Sequence, residues 1–168
     1  MAGKKKVFWW IGGVLFAVVG GVGYMIGPEA VAAVRNGFFA DQKKVAYTGD
    51  RIDNLRRLQT AMMLYHESEG QFPRAEGWMD AIENRLQTNE LKPGEGIKKL
   101  HDPSLGDDPN VYGYAMNDLA SAKYKDDLPG KDEFVLLFTS ADTKRNARGA
   151  PKGELGITIS GKLLHDLK

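Results

Sequence analysis

The sequence predicts an α+β protein, in which a single N-terminal transmembrane helix precedes a long amphipathic helix packed on a small antiparallel sheet. Three observations carry this prediction. Val7 to Ile26 is a run of twenty residues without a charge. Ile52, Leu55, Leu58, Met62 and Tyr65 recur every three or four residues, the period of one helix face. Phe134 to Phe138 is a continuous apolar stretch, and Leu155, Ile157 and Ile159 alternate beyond it, both strand patterns.

Four segments follow from this reading. Residues 1–6, with Lys4, Lys5 and Lys6, form a basic tail, and residues 7–26 form the membrane helix. A helix of that length rises about 30 Å, which matches the hydrocarbon core of a bilayer. Trp9, Trp10 and Tyr24 stand near its two ends, where amphipathic rings favour the interface. The lysine cluster places the N-terminus in the cytoplasm and the remainder of the chain, with residues 50–168 as its domain, outside it. Residues 27–49 are a connector. Ala30-Val31-Ala32 offers a signal-peptide cleavage pattern, so retained anchor and cleaved leader are both open, although the apolar run exceeds the usual leader core. Gly13, Ala17 and Gly21 recur every four residues, a spacing that lets two membrane helices approach and self-associate.

The soluble part begins with a helix over Asp50 to Glu69, capped by Thr48 or Asp50 and stopped at Gly70. Leu64 widens its apolar stripe. Trp78 to Leu86 reads as a second, short helix with Met79, Ile82 and Leu86 on its face. The segment LKPGEGIKKLHDPSLGDDPN is loop, Val111 to Met116 a short strand, and Glu133 to Ser140 the buried strand. TKRNARGAPKGE reads as a mobile basic loop. The C-terminal stretch reads as a hairpin: a Ser160-Gly161-Lys162 loop would put Leu155, Ile157, Ile159, Leu163 and Leu167 on one face.

Composition narrows the chemistry. A formal net charge of +1 gives no field that would draw nucleic acid. The absence of cysteine excludes disulfides, thiolate nucleophiles and cysteine-held zinc. His66, Glu67, Ser68 and Glu69 resemble an active-site cluster, but they fall on the last turn of the first helix, and a zinc motif would need histidine where Gly70 stands. Gly156 to Lys162, GITISGK, matches the start of a phosphate-binding loop. Leu163 replaces the hydroxyl residue that would hold magnesium. Ser121-Ala122-Lys123 has the types of a Ser–Lys pair without a sign of the burial that would lower a lysine pKa. Asp102, Asp107, Asp108 and Asn110, with Asn117 and Asp118 beyond, supply oxygens of the kind calcium uses, at spacings that fit no helix–loop–helix calcium motif. Lys144, Arg145, Arg148 and Lys152 form a basic loop suited to an acidic partner or lipid headgroups. No catalytic, cofactor-binding or metal-binding residue is assigned.

The segment NLRRLQTAMMLYHESEGQFPRAEGWMDAI resembles pilin-like proteins and the pseudopilins of type II secretion, through Asn54, Leu55, Leu58, Ala61, Tyr65, Gly70, Phe72 and Pro73. Asp102-Pro103-Ser104, Tyr112-Gly113-Tyr114 with Asn117, the VLLF strand and Ser160-Gly161 extend the resemblance loosely to Leu167. It implies a non-enzymatic, pilin-like domain that contacts the lipid bilayer and other envelope or secretion proteins, without a cofactor. The prepilin junction is missing. Gly3 is followed by three lysines, and no early glutamate enters the apolar run. The resemblance therefore implies a pilin-like ectodomain on an uncleaved anchor. The alternative is an anchored ligand-binding or sensor domain, with the acidic loop or the Trp78 region lining its pocket.

Overall fold

Asp50 opens helix α1 (Arg51–Glu69) in the computed structural model, which describes residues 46–168. Its carboxylate accepts from the Asp53 N–H at 2.7 Å, satisfying one of the donors that a helix start leaves unpaired. The helix closes at Gly70, whose φ of 80° is left-handed and whose N–H donates to the His66 carbonyl. Leu55, Leu58, Ala61 and Met62 are buried, with Ile52 and Tyr65 half-buried against the same core. Two positions depart from the predicted stripe. Leu64 is 46% exposed, because it lies about 120° around the axis from Leu58 at 3.6 residues per turn. Asn54 is buried in the stripe, and its Nδ2 donates to the His101 carbonyl at 2.9 Å.

Phe72 turns into the core, and a single turn over Ala75–Gly77 leads into helix α2 (Trp78–Leu86). Trp78, Met79, Ile82 and Leu86 form its buried face, as the sequence predicts. The turn Gly96–Leu100 packs on both helices. Gly96 lies so close to α2 that a Cβ there would stand 2.7 Å from the backbone nitrogen of Gln87.

Five strands follow: β1 (Tyr114–Asn117), β2 (Val135–Thr139), β3 (Arg148–Gly149), β4 (Gly153–Thr158) and β5 (Leu163–Leu167), arranged β3-β1-β2-β4-β5. β1 pairs antiparallel with β2, β2 with β4, and β4 with β5. β3 runs parallel to β1, with Met116 opposite Arg148 and Asn117 opposite Gly149. The expected antiparallel sheet is therefore corrected to a mixed one. The cause is the path of residues 140–147. Thr143 accepts from the Tyr112 N–H and Ala147 from the Met116 N–H, so the chain rounds the end of β1 and returns along its outer edge. The architecture of residues 46–168 is helices α1 and α2 on a mixed five-stranded sheet, in place of the expected small antiparallel sheet. Among the described residues no helix is long and apolar enough to cross a membrane. The predicted membrane helix at 7–26, with Gly13, Ala17 and Gly21, lies outside the described residues.

The main core sits between the helices and one sheet face and is built around Trp78, Tyr114 and Phe72. A smaller cluster of Ala115, Phe138 and Ala147, with Val135 and Leu167, covers the other face. β2 is thus apolar on both sides, which explains its unbroken hydrophobic run. The hairpin departs from expectation at its end. Ile157 opposes Leu163 and Leu155 opposes His165, but Asp166 has a φ of 54°. That left-handed residue breaks the alternation, and Leu167 crosses to the Phe138 side. Gly156 is required beneath it: a Cβ there would stand 2.7 Å from Leu167 Cδ1 and 2.9 Å from Val135 Cγ1.

Candidate functional site

A cleft of about 730 Å³ opens beside the start of α1, bounded by residues 46–50, the first two turns of that helix, the 88–91 loop and Lys99. The Asp50 cap fixes where the chain turns, and this holds Tyr47 over the cleft. The Tyr47 N–H donates to Glu95 Oε2 at 2.8 Å, and Glu95 also accepts from Lys98 Nζ at 2.8 Å. Lys99 is only 1% exposed; its ammonium donates to the Leu86 carbonyl at the end of α2 and lies 5.7 Å from the Tyr47 ring centroid. Desolvation, and then the nearby Arg57 charge, hold Lys99 below the usual lysine pKa. Desolvation and the Asp53 carboxylate push the Tyr47 phenol up to about 12. Arg57 is paired to Asp53 at 2.6 Å. Donors from Arg56, Arg57 and Lys99 and acceptors from Asp50, Asp53 and Glu90 share the cleft, a balance that suits a small polar ligand with both signs of charge. Neither histidine nor serine is among its lining residues.

The residues singled out by sequence do not converge here. His66 is half-buried; its Nε2 accepts the Lys125 N–H at 3.0 Å, and its ring is tilted against Phe72 at 4.9 Å. Glu67 and Glu69 are exposed, and Ser68 Oγ accepts from Arg85 at 2.7 Å. GITISGK forms β4 and its turn, and a strand, rather than a helix, follows. Ser121 Oγ accepts from the Ala75 N–H at 3.0 Å, while Lys123 is exposed.

Within the acidic loop Asp102 alone is buried, at 1% exposure. It accepts from Arg51 Nε at 2.8 Å and from the Ser104 hydroxyl at 2.7 Å. Asp107, Asp108 and Asn110 are exposed. Asn117 is spent on the backbone, donating to the Val135 carbonyl and accepting from the Leu119 N–H. Among the described residues no three histidine or carboxylate side chains gather as metal ligands. Trp78 is fully buried in the core, and its Nε1 donates to the Ala147 carbonyl at 3.0 Å.

The basic loop is docked rather than mobile. Arg145 pairs with Asp80 at 2.6 Å and Glu83 at 2.5 Å, donates to the Tyr112 hydroxyl, and lies over that ring, which in turn stacks on His101. These acceptors raise the Arg145 pKa despite desolvation. Arg148 binds Glu76. Lys144 and Lys152 remain exposed. Sequence reasoning passed over Tyr47 and Lys99. Both stand in polar segments whose composition matches a solvated loop, and only the packing of Lys99 against α2 distinguishes them. No family model, curated protein or solved structure matches the chain.

Proposed function

We propose that the chain is a non-enzymatic, single-pass membrane protein whose extracytoplasmic domain contacts other proteins of a bacterial envelope assembly of the type II secretion or type IV pilus kind. The uncharged run Val7 to Ile26 behind three lysines supports the anchoring and its orientation. The observation that carries the contact role is the use of charge in the domain. Arg51, Arg145 and Arg148 tie distant loops to the helices through Asp102, Asp80, Glu83 and Glu76. Such pairs set shape and are consumed by it, while Leu119 and Tyr124 remain 70% and 57% exposed. Exposed apolar side chains of this kind are what a partner protein would cover.

The test is to recover the protein from bacterial membranes and measure its intact mass and N-terminal sequence, then crosslink it in the intact envelope. The expected N-terminus lies at or near Met1, with crosslinks from Leu119 or Tyr124 positions to other envelope proteins. A start near Ala33, or no crosslinked protein, would overturn this reading.

The cleft favours a second reading, a membrane-anchored ligand-binding or sensor domain. Its site would be Tyr47, Lys99 and the start of α1, not the acidic loop or Trp78. A small zwitterion such as a free amino acid that raises the melting temperature of the wild type, but not of Lys99→Met, would favour it.

A further inference from the structure

Residues 121–125 lie along residues 72–75 as a short, irregular ladder. The Phe72 N–H donates to the Lys123 carbonyl at 2.9 Å, the Ala122 N–H to the Pro73 carbonyl at 3.2 Å, and the Ala75 N–H to Ser121 Oγ at 3.0 Å. The last rung is different in kind. The Lys125 N–H donates to His66 Nε2 at 3.0 Å, so the far end of the ladder hangs on an imidazole nitrogen.

That bond exists only while Nε2 carries a lone pair. A protonated imidazole has a donor at both nitrogens. Protonation would set N–H against N–H at the Lys125 rung and add charge beside the Phe72 ring, 4.9 Å away by centroid. The charged groups around His66 are Glu67 on its own helix and Lys125 and Asp126 on the docked segment. The carboxylates favour the imidazolium and Lys125 opposes it. Burial outweighs them and holds His66 below the usual histidine pKa.

We propose that neutral His66 is a latch holding the Lys125 end of the 121–127 segment on the end of α1, and that its protonation releases this end and loosens the cover over Phe72. The segment carries Tyr124, which is exposed, and is separated from exposed Leu119 only by Ala120. Where that cover loosens, Phe72 would add to these side chains, so mild acid enlarges an apolar surface at this end of the domain. The latch stands on the geometry of residues 66–75 and 121–127 and does not depend on the envelope role.

Hydrogen exchange of the full chain in detergent micelles tests it, with rates corrected for the intrinsic effect of pH. Between pH 7.5 and 5 the Lys125 amide should lose protection several-fold, while the Met116 amide in the sheet keeps its own. His66→Gln retains an acceptor that does not titrate, so its Lys125 protection should be independent of pH. His66→Phe should leave Lys125 weakly protected at both values. Wild-type protection that is flat across this range, or a pH effect that persists in His66→Gln, overturns the latch. An NMR titration of histidine-labelled wild-type protein decides the case even if a variant fails to fold. The His66 signal should titrate below the ordinary 6.5, and a midpoint at or above it overturns the proposal.

Discussion

Single side chains in this domain act by what surrounds them more than by their type. Leu58 is fully buried between α1 and the sheet. Replacing it with alanine should cost about 2–5 kcal/mol, from lost burial plus the cavity left behind. Urea unfolding measures this, and an unchanged midpoint would refute the core assignment. Asp102 shows the same dependence on context for a charge. It reads in sequence as one of several calcium-like oxygens, yet its partners are Arg51 and Ser104. Asp102→Ala should destabilise by roughly 1–3 kcal/mol, because Arg51 and the Ser104 groups lose a charged acceptor. Added calcium should not shift the wild-type melting temperature. A calcium-dependent rise lost in Asp102→Ala would contradict the ion-pair role.

At the scale of elements, the informative positions are joints. Asn146 Oδ1 accepts from the Met79 N–H at 2.8 Å and so caps α2 from a loop 67 residues away in sequence. Its φ of 58° is one that asparagine and glycine tolerate. Asn146→Gly should lose the cap, about 0.5–2 kcal/mol, together with the hydrogen bond that Asn146 Nδ2 donates to Asp80, and Asn146→Ala should lose more because it adds backbone strain. Equal losses in thermal unfolding would remove the strain argument. Gly96 is a joint of another kind. A Cβ there meets backbone atoms of Leu86 and Gln87 that cannot turn aside, so Gly96→Ala should lower the unfolding midpoint more than Gly156→Ala. At Gly156 the atoms met are the ends of the Leu167 and Val135 side chains.

The whole molecule should lose stability in acid in two stages. His66 has a folded pKa below its unfolded 6.5, so between these values the unfolded chain binds more protons. Stability is full above that range and falls as pH drops through it. Asp80 is held below 3.8, first by the Asn146 hydrogen bond and then by Arg145. Its contribution is present above 3.8 and is lost as pH falls through the folded value. Melting temperature against pH should therefore decline gently below about 6.5 and further below about 4, and His66→Gln should remove only the upper stage. A decline of unchanged size in that variant would place the titrating group elsewhere.

α1, α2 and the buried strand β2 were legible because their signals are local. Caps, stop residues and apolar periodicity act over a few residues, and the chain keeps them wherever it folds. The C-terminal hairpin was legible up to Asp166, where one left-handed residue sends Leu167 to the other face. The parallel β3 strand, the docking of Arg145 onto α2 and the burial of Lys99 beside Tyr47 had no such signal. The Arg145–Asp80 contact spans 65 residues, and Lys99 meets the carbonyl of a residue 13 positions away. Composition reads both segments as solvated loops, since a charged side chain looks the same in sequence whether water or a carboxylate receives it. Strand order and ion pairing are properties of where distant pieces meet, and the folded packing alone decides that.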